Sequence, residues 1–193
     1  SKQRIMKIGI HQPNFFPWYP FFQKMAECDV FVILGHCQFE KNNYQNRFHM
    51  ADGTWNTMSV NGGIDDIVNK RYVFFERDWS KIKKRLFRYD TARFDQFISG
   101  DLFGTNLAII REISTILGIR CEIVPDKPTT LKGTERLIEI CKSFNATDYV
   151  SGTGASKYLE ESAFADNGIK LHIQDPDKLV KKPVLDFIRD TGL

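Results

Sequence analysis

The sequence lacks paired cysteines. Its four, Cys28, Cys37, Cys121 and Cys141, stand far apart, inside or beside apolar segments, with no CxxC and no His/Cys cluster. That spacing argues against a zinc site or a disulfide framework. It suits reduced thiols packed as small hydrophobes, so a reducing, cytoplasmic compartment is expected and no metal site is. Long apolar runs are missing as well. No stretch approaches the roughly 20 residues needed to span a bilayer, and the start, SKQRIMKIGI, has neither the apolar core nor the cleavage site of a secretory signal. Neither sign of charge dominates: 27 basic against 24 acidic side chains leave a net charge of +3, which makes no electrostatic case for nucleic acid. Repeats and low-complexity linkers are absent too, so the 193 residues read as one domain, 1–193, long enough to bury its own core.

Aromatics, by contrast, are plentiful, at 13% with sixteen Phe. They crowd most tightly into HQPNFFPWYPFF (11–22), directly after the apolar run MKIGI (6–10). That run suits a strand. Pro17 can take the first helical position and Pro20 still falls in the first turn, where backbone N–H groups have no intrahelical partner, so a helix over about 17–27 tolerates both. DVFVILG (29–35) is apolar on both faces, as a buried parallel strand is. The result is a βαβ unit.

Further along, 47–61 reads as a hairpin turning at Asp52-Gly53, KRYVFFE (70–76) as a strand, and 79–89 as a basic helix with Ile82, Leu86 and Tyr89 on one face. Its lysines and arginines read as a solvated face. Leu107, Ile110, Ile113 and Leu117 keep helical spacing until Gly118. A strand at 119–125, a helix from 132 to 146 capped by Thr134, a strand at 148–152, a short helix at about 155–161 and a strand at 169–174 complete the pattern. The alternation predicts an α/β fold, an open and mostly parallel sheet with helices on both faces and a hairpin insertion.

Ligands of such sheets bind beyond the carboxyl ends of the strands. Three polar groups occupy those positions. His11, Gln12 and Asn14 follow the first strand, with Trp18 as the best aromatic wall; His36, Cys37 and Gln38 follow the second. SGTGASK (151–157) ends a strand and opens a helix, where Ser151, Gly152, Gly154 and Lys157 suit a phosphate or carboxylate. The densest polar stretch, QFEKNNYQNRFHM (38–50), supplies the Arg47 fork and Lys41 for a carboxylate or phosphate, and Gln38, Asn43, Gln45 and Asn46 for hydroxyls or amides, interleaved with Phe39, Tyr44 and Phe48. Stacking surface beside hydrogen-bonding groups grips sugars and nucleobases, in an enzyme or in a non-catalytic glycan- or nucleotide-binding module. Nucleophilic catalysis has little support: there is no GxSxG elbow, no Walker loop and no dinucleotide fingerprint.

The segments HQPNFFPW, DVFVILG followed by QFEKNNYQNR, NLAIIREISTILGI, KGTERLIEICKSFNATDYVSGTGASKYLEES and VLDFIRDTG resemble the WbqC-like family of bacterial proteins along nearly the whole chain. The resemblance implies a role in O-antigen or other surface-polysaccharide synthesis, with transfer of glycine or a similar acyl group onto a nucleotide-linked amino sugar as the small-molecule substrate. It maps the family's polar positions onto His11, Gln12, Pro13, Gln38, Lys41, Gln45, Asn46, Arg47, Ser151 and Gly152. Two departures stand out: Gly35-His36 replaces a pair of acids, and Lys181-Lys182-Pro183 replaces a longer polar loop. A histidine just past the first strand also resembles nucleotidyltransferase folds, in which it meets the phosphates of ATP with magnesium; the second histidine of their HxGH motif is missing, and Trp18 and Tyr19 stand roughly there.

Overall fold

A computed structural model describes residues 4–154 and 160–193. Contacts divide the chain into two compact units, one of Ser1–His11, Pro20–Leu34 and Arg120–Val180, the other of Gln12–Tyr19, Gly35–Ile119 and Lys181–Leu193.

The first unit is built on a sheet. Strands β1 (Lys7–His11), β2 (Val30–Ile33), β5 (Glu122–Pro125), β6 (Asp148–Ser151) and β7 (Lys170–Ile173) pair in the order β5-β2-β1-β6-β7, every pair parallel. The chain thus works outward from β1 on one side through β2 to β5, then returns to the other side of β1 for β6 and β7. Alternation of side chains sorts the two faces. Ile8, Ile10, Val30, Val32 and Tyr149 meet Ile138 and Cys141 of α4 (Gly133–Ser143) and Phe164 of α5 (Glu161–Asp166) in one core cluster. Gly9 and Phe31 look the other way, toward α1 (Tyr19–Ala26), where Phe21 lies edge-on to Phe31 at 5.2 Å. Gly9 has a steric reason to be glycine, since a Cβ there would come within 2.8 Å of the Phe31 ring and 2.9 Å of Cys28 Sγ.

The second unit is mostly helical. It holds the antiparallel hairpin of β3 (Arg47–His49) and β4 (Trp55–Thr57), and helices α2 (Phe75–Arg85), α3 (Leu102–Ile116) and α6 (Val184–Thr191). The hairpin turns at Gly53, whose φ of +85° only glycine adopts readily. Its centre is aromatic: Phe16 stacks on Trp79 at 5.9 Å and meets Phe48 and Phe94 at 4.8 and 5.0 Å, while Phe15 packs on Phe48 and Tyr72. The backbone reaches this arrangement through a left-handed Phe16, φ 44°, a strain of roughly 1–2 kcal/mol that burial of two phenylalanines outweighs.

Six elements differ from the sequence reading. The first helix begins at Tyr19, leaving Pro17 outside it, and the Tyr19 N–H bonds the Lys182 carbonyl at 2.9 Å. Residues 70–76 are no strand: Tyr72 N–H bonds Gly100 O while Val73 N–H bonds Ser59 O, so the backbone serves two different segments and no ladder forms. The alternation there reflects burial of Lys70 and Tyr72 alone. Helix α2 consequently starts at Phe75, with Glu76 and Asp78 in its first turn and Lys83, Lys84 and Arg85 in its last, matching the helix dipole. Lys132, not Thr134, precedes α4 as its cap residue. The last short helix runs Glu161–Asp166, and residues 155–159 of its expected span lie outside the described residues. Helix α6, unassigned from sequence, follows Pro183 and ends at a left-handed Gly192.

Burial pushes the Cys28, Cys121 and Cys141 thiols up to about 12. Lys24 of α1 is buried on the Phe31 face. Its ammonium donates to the Ile10 carbonyl at 2.9 Å and lies 5.7 Å from the Phe31 ring centre. Burial lowers its pKa to about 8, with Cys28 acting in the opposite sense. In the unfolded chain a lysine titrates near 10.4. Between pH 8 and 10 the unfolded state therefore holds the extra proton, and this residue's contribution to stability rises with pH. Urea unfolding of Lys24→Met against the wild type should show an advantage for Met that is larger at pH 7 than at pH 10; a pH-independent difference would contradict the buried charge.

Candidate functional site

The residues singled out from sequence fall in both units, and each unit holds its own set. In the sheet unit the strand order reverses beside β1. Strands β1 and β6 lie next to each other with Gly9 opposite Val150, so His11 and Ser151, their last residues, emerge at the same edge. That position, the carboxyl edge at a reversal of strand order, is where open α/β sheets take their ligands. His11 is half-buried and presents its ring edge-on to Phe21 at 4.9 Å. Its carbonyl accepts from the Leu34 N–H, and Lys24 is bonded one residue back. Ser151 is fully buried, its hydroxyl donating to the Gly152 carbonyl at 3.2 Å and its own carbonyl accepting from the Gln174 N–H. Gly152 has Gln174 Oε1 3.8 Å from where a Cβ would stand, and Gly154 has open space. Lys157 lies outside the described residues.

A second histidine of this unit escaped the sequence reading. His172 Nε2 on β7 lies 2.5 Å from Asp148 Oδ2, and the Thr147 hydroxyl donates to Asp148 Oδ1 at 2.6 Å. Burial would raise the pKa of Asp148, but the Thr147 and His172 bonds outweigh it and hold the carboxyl below its ordinary value. Asp148 opens β6 at the end away from Ser151, so this pair stands apart from the His11 edge.

The other unit gathers the amides. Asn106, fully buried on α3, donates through Nδ2 to the carbonyls of Pro13 and Gln45, both at 2.7 Å, and accepts at Oδ1 from the Tyr72 hydroxyl at 2.6 Å. Removal from water raises the Tyr72 phenol well above its ordinary value, and the Asn106 bond only partly offsets that. Two polar stretches separated by thirty-odd residues are thereby tied to one side chain. Between them the Gln45 carboxamide, also fully buried, accepts from the Glu40 N–H at 3.1 Å and donates to Gln12 Oε1 at 2.6 Å. The opposite end of that amide, Gln12 Nε2, points at Cys37 Sγ, 3.8 Å away. Gln45 is therefore placed to orient Gln12 rather than to face solvent.

Neighbouring residues divide in the same way. Asn46 donates to the Met58 carbonyl and locks the hairpin. Arg47 donates to the carbonyls of Asn42 and Asn43 and lies 4.2 Å over the Trp55 ring, which in turn stacks near Tyr44 at 6.0 Å and meets His49 at 5.1 Å. Trp55, Tyr44 and Trp18 are each more than two-fifths exposed. Asn14 turns back on Gln12 through its backbone N–H. Gln38 and Lys41 are exposed, and Gln38 bridges to Asp66. His36 is half-buried beside Gly35, where a Cβ would stand 2.6 Å from the Phe103 ring. Among the described residues no group of three His, Cys, Asp or Glu side chains is arranged to hold a metal ion, and no described helix is long and apolar enough to cross a membrane.

A parallel sheet with a histidine at its reversal point and a buried amide network carrying the HQPN and QNR segments define an α/β protein of recognisable type. The chain belongs to the WbqC-like protein family, whose model matches residues 12–182. It is similar to an uncharacterized protein of Mycobacterium tuberculosis, Rv1507c, at 28% identity over 192 residues, covering 89% of this chain and 83% of the relative. No solved structure matches it.

Asn106 escaped the sequence reading because it sits inside an apolar helix. One signal was available: with Leu102, Ile109 and Ile113 it falls on the buried stripe of α3, where a polar residue requires partners. Gln45→Leu should leave Gln12 Oε1 and the Glu40 N–H without their partner and lower unfolding stability by about 1–3 kcal/mol, read as a shift in urea midpoint at unchanged slope; an unchanged midpoint would contradict the assignment of Gln45 as the support for Gln12.

Proposed function

We propose that the protein transfers an aminoacyl or acyl group, of the glycine type, onto the amine of a nucleotide-linked amino sugar used in bacterial surface polysaccharide. The observation that carries the reading is His11, the last residue of β1, at the edge where the strand order reverses beside β6. In this reading its imidazole takes the proton from the sugar amine as the nitrogen attacks the donor's carbonyl carbon; the new C–N bond forms and the bond to the donor's leaving group breaks. Ser151, Gly152, Gly154 and Lys157 are assigned to phosphate. Arg47 and Lys41 are assigned to a phosphate or carboxylate, and Arg47, braced by two backbone carbonyls and Trp55, is the rigid one of the two. Gln12, Gln38, Asn46, Asn14 and His36 are assigned to the sugar, with Gln45 holding Gln12 and exposed Trp18 serving as a stacking wall.

ATP-dependent nucleotidyl transfer is the second reading, favoured by the same strand order and histidine position, which serve phosphate as readily as an amine. A thermal-shift screen separates the two. At a hundred times Kd a ligand adds about 2.7 kcal/mol, on the order of 5–10 °C in Tm for a chain of this size. Sugar nucleotides should give that shift in the wild type, and His11→Ala and Arg47→Ala should lose turnover of candidate donors. Protection by ATP with magnesium and by no sugar nucleotide would replace the first reading with the second, and variants that turn over substrate as the wild type does would overturn the site.

A further inference from the structure

The helical unit contains a cavity of about 150 Å³ in which Arg88, Arg93 and Arg189 face a floor that includes Phe94, Ile116 and Leu185. None of the site residues described above lines it. Its chemistry is two-sided. The floor is apolar, with Phe94 and Leu185 almost fully buried, and the volume is that of dry cavities known to accept one benzene ring. The rim carries Arg88, Arg93 and Arg189 beside Asp90.

The guanidiniums are not equally committed. Arg93 is paired with Glu112 at 3.0 Å. Arg189 reaches Asp186 and Asp190 only at 3.4 and 3.6 Å and leans over the Tyr89 ring at 4.5 Å. Asp186 is already engaged by better donors, the Tyr89 hydroxyl at 2.6 Å and the Ala51 N–H at 3.1 Å. Arg88 pairs with no carboxylate among the described residues and has the exposed Phe87 ring as its neighbour at 5.3 Å. Two arginines at one cavity mouth therefore keep much of their donor capacity, since each guanidinium carries five N–H groups. Bidentate acceptance by a carboxylate is what that fork geometry matches.

The geometry points to a second ligand site, taking a small organic carboxylate whose apolar body is about one six-membered ring in size. The ring fills the floor over Phe94 and Leu185, and the carboxylate meets Arg88 and Arg189. Of the basic residues in 79–89, Arg88 lines this cavity, and the proposed transferase reaction does not use it.

Benzoate, benzyl alcohol and inorganic phosphate serve as probes, titrated by calorimetry and by amide chemical shifts of the labelled full chain. Benzoate should bind with a Kd on the order of 1 mM or tighter and shift the amides of Tyr89, Leu185 and Arg189. Benzyl alcohol should bind roughly tenfold more weakly, and Arg88→Gln, a substitution on an exposed side chain, should weaken benzoate by a similar factor. Ile188→Trp, at a half-buried cavity position, should remove binding of both while the far-ultraviolet spectrum stays native. The site is overturned by any of four results: no benzoate binding at 10 mM, on the order of ten times the expected Kd; equal affinity for the alcohol; phosphate binding more tightly than benzoate; or shifts confined to other residues.

Discussion

One buried carboxamide organises the helical unit. Asn106 spends both its donor hydrogens on the carbonyls of Pro13 and Gln45 and its acceptor on Tyr72. Each such bond contributes only about 1 kcal/mol net, yet a buried partner left without one costs about 1–3 kcal/mol. The asymmetry matters here because the two carbonyls belong to loops, which have no ladder of their own to satisfy them. Without Asn106, the HQPN and QNR segments would lose a buried side chain that bonds the backbone of both.

What hangs on that support is a relay of amides. Gln45 is placed by its own carbonyl, which accepts from Asn106 Nδ2, so its side chain is aimed, and it aims Gln12 in turn. The aromatic residues beside it do a different job: Phe15 and Phe16 close the core over these loops, while Trp55 and Tyr44 stay exposed next to Arg47. In the sheet unit no comparable network is needed. Parallel pairing alone brings His11 and Ser151 to one edge, and Lys24 braces the carbonyl just before His11.

Much of this was legible in the residues. Apolar runs without alternation gave the buried strands β1, β2 and β6 in place, and Gly118 and Asp52-Gly53 marked a helix end and a hairpin turn that the structure keeps. His11 and Ser151 could be read as strand ends, whereas the strand order that sets β1 beside β6 comes from the structure. What the pattern could not reveal was tertiary. Residues 70–76 have strand composition, but their backbone bonds go to two separate segments. Pro17 looked like a helix start, whereas the helix begins two residues later, at Tyr19. The polar residues of 38–50 looked equivalent, whereas burial separates Gln45, an internal support, from exposed Lys41 and Gln38. Asn106 was hidden by its helix, since its meaning depends on two loops far away in sequence.

The account rests on Asn106 coupling those loops, and amide hydrogen exchange measures that coupling directly. In Asn106→Ala, protection of the Phe15 amide, bonded to the Tyr44 carbonyl, should fall together with that of the Met58 amide, bonded to the Asn46 carbonyl, by about 10- to 100-fold for a local loss of roughly 1.4–2.8 kcal/mol. Protection unchanged at both amides, or lost at one with the other intact, would contradict it.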